Sequence, residues 1–167
     1  MNAEPPRAFV ADLTRFSEPF DFMRFFEGRT RAVGVFEDRF GRLRMRFRVE
    51  MEGRWSGGAF ELDEIFTYET GKTERRHWSV RPGDAGTFRA TCRDAASDAL
   101  GRTLPGLIEM RYRFPLPVFG RSVIFDFLDR LYDMGDGRAI NRVRVSKWGI
   151  RVGELSLCFR RLDAETA

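Results

Sequence analysis

Histidine occurs once in the 167 residues, as His77, and cysteine twice, as Cys92 and Cys158. A zinc site takes three or four nitrogen and sulfur ligands at short spacings. No Cys pair and no His-x-x-x-His supplies them, so no metal is expected. Ser-His-Asp catalysis would have to recruit His77, and no G-x-S-x-G elbow accompanies it. His77 alternates with Arg76 and Trp78, which predicts an outward, solvated imidazole. The two cysteines are expected to be reduced, buried thiols rather than a disulfide. Phosphate-binding loops of the GxxxxGK[ST] or GxGxxG type are missing, so no nucleotide cofactor is expected. No apolar run approaches the roughly 20 residues that cross a bilayer as a helix. The opening segment MNAEPPRAFVADLT has neither a basic n-region nor an apolar h-region, and no lipobox is present. A cytoplasmic location is the expectation. Lysine is confined to Lys72 and Lys147, so the 29 basic residues are almost all arginine. They are spread along the chain among 25 acidic residues with a net charge of +4, which favours solvated faces over a nucleic-acid surface.

Phenylalanine, in contrast, occurs 17 times, and apolar residues make up 43% of the chain. A chain of this size can bury a core as one domain without staples. The clearest pattern is strict alternation. Met45, Phe47, Val49 and Met51 share one parity, while Arg42, Arg44, Arg46, Arg48, Glu50 and Glu52 share the other. That is a half-buried antiparallel strand. Glu61, Asp63 and Glu69 on a neighbouring strand can neutralise the arginine stripe. Similar alternation runs through Gly28–Glu37, Ala59–Glu69, Thr73–Val80, Leu107–Phe114 and Gly149–Leu162. In the last of these a bulge is expected near Gly153, where the apolar phase shifts. Pro115 and Pro117 are expected to end the strand that precedes them. Ser122–Tyr132 fits a helical stripe or a strand, and the surrounding turns favour the strand.

With the short strand Thr87–Arg93, the weaker Asp94–Arg102 and the strand that runs up to Ser146, these spans add up to about nine or ten strands in consecutive hairpins, which predicts an all-β, antiparallel up-and-down barrel. Asp21 is placed to cap one short helical turn, Phe22–Glu27, before Gly28. Residues 1–20 are expected to form an amino-terminal arm, 21–162 the barrel domain, and 163–167 a tail. A barrel of this size encloses more room than its own side chains fill.

Several polar residues interrupt the apolar parity. Glu64 shares a face with Phe60, Leu62, Phe66 and Tyr68. With Thr70-Gly71-Lys72 as the hairpin loop, Glu64 falls opposite Trp78 and diagonal to Arg76, which predicts an interior ion pair. Asp126 and Asp129 have opposite parity, so only one of them can point inward. Asn141, Arg142, Ser146 and Lys147 interrupt the next strand.

Four segments resemble a known family: FFEGRTRAVGVFEDRFGRLRMRF, LDEIFTYETGKTERRHWSV, MRYRFPLPVFGRSVIFDF and INRVRVSKWGIRVGELSLCFRR. They are similar to the bacterial domain-of-unknown-function family 3833. The resemblance implies a fold similar to lipocalins and other calycins, with no assigned reaction.

The candidate ligand-facing set is Glu64, Tyr68, Arg76, Trp78, Asp126, Phe127, Asn141, Arg142, Ser146 and Lys147. Three readings of its charges stay open: a structural network joining Glu64 to Arg76 and Arg142, a head-group site in which Arg142 or Lys147 meets a carboxylate or phosphate, and acid/base catalysis by Glu64 and Asp126. The function expected is the binding of a small hydrophobic or amphipathic molecule inside the barrel. A barrel enzyme is the alternative, and single-stranded nucleic-acid binding ranks third.

Overall fold

The structure, a computed structural model, describes residues 16–162. The interior parity noted above recurs on ten strands, and every one of them pairs with a sequence neighbour. They are β1 (Gly28–Asp38), β2 (Leu43–Ser56), β3 (Ala59–Tyr68), β4 (Thr73–Pro82), β5 (Thr87–Cys92), β6 (Ala99–Leu104), β7 (Leu107–Val118), β8 (Arg121–Gly135), β9 (Arg138–Lys147) and β10 (Ile150–Arg161). The last strand returns to the first, with Val33 opposite Cys158 and Val35 opposite Ser156. The sheet is thereby a closed barrel. Ser122–Tyr132 is strand, inside β8. The bulge at Gly153 is present as a register shift between Arg151 and Gly153. The amino-terminal arm expected for residues 1–20 lies partly outside the described residues, as does the 163–167 tail. Of the arm, Phe20 N–H donates to the Leu104 carbonyl at 3.1 Å and Pro19 bridges Pro105, so this stretch runs along the β6–β7 turn.

Three expectations need correction. Pro115 and Pro117 do not end β7; they pair with Ile124 and Ser122 of β8. On the other side β6 stops short, its last partner along β7 being Arg111. Odd-numbered residues of β7 aim their backbone groups at that side, as Arg113 does in accepting from Ala96 N–H. The missing proline N–H groups therefore face a gap in the ladder. The β3–β4 register is also shifted by two residues: Glu64 pairs with Arg76, and Leu62 with Trp78. The loop is Glu69-Thr70-Gly71, closed by Gly71 N–H to the Tyr68 carbonyl at 2.8 Å and Tyr68 N–H to the Lys72 carbonyl at 2.9 Å. Gly71 holds the left-handed conformation, φ 84°, that this three-residue loop requires. Finally, the cysteines are free thiols but neither is buried: Cys92 is partly accessible and Cys158 is exposed on the outer face.

One end of the barrel is stoppered. The α-helical segment α1 (Phe22–Phe26) begins where the Asp21 carboxylate accepts from Arg24 N–H at 3.1 Å. Five residues cannot hold a helix alone. Burial holds it: Phe22, Phe25 and Phe26 are all buried, and the Phe22 ring packs on Phe88 of β5 at 5.0 Å. Gly53 of β2 makes the seat, because a Cβ there would come within 2.2 Å of the Phe26 carbonyl oxygen. At this end the inward residues Phe60, Val80, Ala90, Ala99 and Ile108 are fully enclosed. At the opposite end the inward residues Phe36, Met45, Phe66, Tyr68 and Leu116 remain partly accessible. The lumen therefore opens on the side of the β1–β2, β3–β4, β5–β6, β7–β8 and β9–β10 turns.

The outer face is charged. Arg31 pairs with Glu50, Arg44 with Asp38, Arg46 with Glu69, and Arg54 with Asp63. Glu109, also on the outer parity, is buried beneath Arg102 and Arg130, each at 3.0 Å. Membrane-spanning barrels carry an apolar band on their outside, and this charged face is the reverse. No helix among the described residues is long and apolar enough to cross a membrane.

Candidate functional site

The barrel encloses a cavity of about 220 Å³, smaller than the roughly 300–1,000 Å³ of common small-molecule sites but far larger than a water needs. Its wall is mostly apolar, from Phe22 and Phe26 of α1 to Phe36, Met45 and Leu116 at the open end. Halfway along, each of several strands contributes one polar side chain at an inward position. These are Glu64 (β3), Arg76 (β4), Tyr112 (β7), Asp129 (β8) and Asn141 (β9), with the Trp78 indole beside them. Together they form a polar band across a greasy tube.

Each member of the band is oriented by another. The Trp78 Nε1–H donates to Glu64 at 3.1 Å. Asn141 is buried, and its Nδ2 donates to Asp129 Oδ1 at 2.5 Å and to the Arg130 carbonyl at 3.0 Å. The Tyr112 hydroxyl also donates to Asp129, and its ring stacks on Phe127 at 5.1 Å. Arg76 lies with its guanidinium 4.3 Å from the centres of both the Phe66 and Phe114 rings. Stacking on aromatic faces suits this planar, weakly hydrated cation. Toward the mouth, Glu74 lies 3.6 Å from Arg76, accepts from Tyr68 at 2.9 Å, and is held from outside by Lys72 at 2.8 Å.

Low polarity around this band sets its protonation. Burial pushes the Asp129 carboxyl up to about 7, against the opposing pull of Asn141, and the neighbouring Glu64 charge pushes the same way. Burial raises Glu64 as well, opposed by Arg76 and by the indole donor. Tyr68 is pushed up to about 12 by burial and by its bond to Glu74, so it stays a neutral donor. Two carboxyls in one apolar chamber thus resist ionisation, and the ionised partner of Arg76 is Glu74 on the mouth side, whose pKa, against the effect of burial, is lowered by Lys72, Tyr68 and Arg76.

Of the ten candidate residues, Glu64, Tyr68, Arg76, Trp78, Phe127 and Asn141 line the cavity. Four do not. Asp126 is on the outer face, 3.7 Å from Arg113. Arg142 is outside too, bonded to Glu154, so it cannot join Glu64 in an interior network. Ser146 pairs with Asp126 in the ladder and shares its outward parity. Lys147 sits at the rim, where its Nζ donates to the Ile124 carbonyl. Of the two carboxylates with opposite parity it is Asp129 that faces the lumen, and Tyr112 joins it from outside the candidate set. Parity alone reveals both: Phe125, Phe127 and Asp129 share a face, so Phe127 and Asp126 could never both point inward. His77 is outside as expected, although not merely solvated. It lies 2.7 Å from Asp63 and 2.9 Å from Glu61, and its bond to Asp63 leads in raising its pKa. No cluster of three His, Cys, Asp or Glu side chains suited to a metal ion occurs among the described residues.

A closed ten-stranded antiparallel barrel, stoppered at one end and crossed inside by a band of ionisable groups, defines the class of protein. The chain belongs to the family described as "Protein of unknown function (DUF3833)", which matches residues 7–161. No curated protein matches it.

Proposed function

We propose that the barrel binds a small amphipathic molecule, with an apolar body in the lumen and an anionic head at the level of Arg76. The observation that carries this reading is the position of Arg76. A guanidinium stacked between Phe66 and Phe114 faces a partly accessible apolar chamber. On the lumen side its neighbour Glu64 is held toward the neutral form, while on the mouth side the Glu74 carboxylate, 3.6 Å away, is shared with Lys72 and Tyr68. A carboxylate or phosphate would take the guanidinium directly, and a protonated Asp129 carboxyl adds a donor within the same band. The apolar part would lie against Val49, Leu62, Val143 and Leu157. The single Trp78 indole in the wall supplies a reporter.

Displacement of anilinonaphthalene sulfonate, followed with Trp78 fluorescence, tests the reading. Dodecanoate is expected to compete, dodecylamine of the same tail length to compete at least tenfold more weakly, and Arg76→Leu to remove the difference. Equal binding of the two amphiphiles, or binding of neither, would refute it.

A second reading has its own observation. A carboxyl with its pKa at about 7, beside a second carboxyl and a tyrosine, is poised for general acid/base work. It is distinguished by turnover that fails in Asp129→Asn while amphiphile binding survives.

A further inference from the structure

Four of the five two-residue hairpin loops of this barrel take positive φ at both central residues: Gly57-Gly58, Phe119-Gly120, Asp136-Gly137 and Trp148-Gly149, the exception being Pro105-Gly106. Such turns favour Asn, Asp or Gly at the first position, since a bulky side chain is strained in the left-handed region. The two loops at the stoppered end follow that preference, with Gly57 and Asp136. The two at the open end do not: Phe119 sits at φ 46° and Trp148 at φ 51°. Both side chains also project into water, Phe119 being 100% and Trp148 86% exposed. Backbone strain and solvation both oppose these residues, so neither fold stability nor solubility explains them.

They are not scattered. Strands β7, β8, β9, β10, β1 and β2 are consecutive around the barrel, so the β7–β8, β9–β10 and β1–β2 turns form one arc of the open rim. The third turn of that arc carries Phe40, 72% exposed, with the Arg39 and Arg42 guanidinium groups 5.0 and 5.9 Å from its ring. Charge follows the same division. The turns of this arc hold Arg39, Arg42, Arg121 and Lys147 against one acid, Asp38, which already accepts from Arg44 at 2.7 Å. In the remaining arc, Glu69, Asp94 and Asp98 outnumber Lys72 and Arg93.

We propose that this arc of the rim docks on the surface of an anionic lipid bilayer, with Phe40, Phe119 and Trp148 entering the interface. Aromatic rings at headgroup depth, flanked by basic side chains, match the two forces that hold a protein on such a surface. The charge separation between the arcs favours a negatively charged lipid face over an apolar patch on another protein. Docking in this pose turns the mouth of the lumen toward the membrane. The docking stands on the rim residues alone and does not depend on what the lumen holds.

The test is co-sedimentation of the protein with vesicles of phosphatidylcholine containing phosphatidylglycerol, against phosphatidylcholine alone. Binding is expected only to the anionic vesicles, falling as salt rises. The variant Phe119→Asn with Trp148→Asn places a residue suited to the left-handed turn at both tips, so its Tm is expected to hold or rise. Its vesicle affinity is expected to drop on the order of tenfold per aromatic removed. Arg121→Gln should weaken binding about fivefold, and brominated lipid should quench a fluorescence component that is lost in Trp148→Asn. Failure to bind anionic vesicles, or undiminished binding by the folded double variant, would overturn the proposal. So would a wild-type dimer in solution that the double variant dissociates without any vesicle binding, since the rim would then meet a second copy of the chain.

Discussion

Replacing Asp129 by asparagine keeps the shape of the side chain and removes its ability to ionise. In the wild-type lumen the carboxyl titrates at about 7 instead of 3.8. Between those values the folded protein holds a proton that the unfolded chain has released, so stability must fall as pH rises through that window. A displacement of that size corresponds to about 4 kcal/mol as an upper limit, reached above pH 7. The asparagine in its place would keep the acceptor that Asn141 uses, and its amide can donate to the Tyr112 hydroxyl in place of receiving from it. The variant should thus match wild type near pH 4 and gain on it steadily up to pH 8. For a chain of this length, a gain of about 4 kcal/mol is roughly 8–16 °C in Tm. Differential scanning calorimetry across pH 4–8 reads the gain. Glu64, raised for the same reason, leaves a residual slope of the same sign in both proteins, so the difference between them is the informative quantity. A variant less stable than wild type at pH 8 would mean that Asp129 is ionised and well solvated or paired, and the buried polar band would be wrong.

Other outcomes follow from single contacts. His77, raised by Asp63 and Glu61, contributes fully below about 6.5 and loses its contribution as pH climbs through its folded value. His77→Gln should therefore destabilise at pH 6 and do nothing at pH 9, a small effect because the site is exposed, measured by urea melts at both pH values. Gly53→Ala would drive a Cβ against the Phe26 carbonyl oxygen and the Phe60 ring. It should cost about 1–3 kcal/mol by displacing α1, seen as a lower urea midpoint and faster amide exchange over residues 22–26.

Much of the fold was legible because the interior of a barrel imposes a period of two. The β2 stripe from Met45 to Met51 and the final strand with its break at Gly153 could be read directly. What escaped were features set by neighbours in space. The β3–β4 register turned on which three residues form the loop, and a shift of one position along the chain moved every pair by two. The prolines of β7 ended nothing, because β6 had already stopped beside them. In the site, parity finds Glu64 and Arg76, but an inward Asp126 beside an inward Phe127 breaks that same rule, and of the Asp126–Asp129 alternative it is Asp129 that faces the lumen. Arg142 looked like an interior partner only while Glu154, its true one across the β9–β10 ladder, was unknown. What sets the rim aromatics Phe119 and Trp148 apart is their positive φ, which no spacing in the sequence displays.

Native mass spectrometry, comparing the wild-type chain with Val143→Phe, puts the lumen itself to the test. Val143 is buried and lines the cavity, so the added ring occupies guest space without altering the outside. One dodecanoate per wild-type chain, and none on the filled variant with its melting curve intact, is the expected result. Equal dodecanoate on both proteins, or none on either, would contradict a barrel built around a guest.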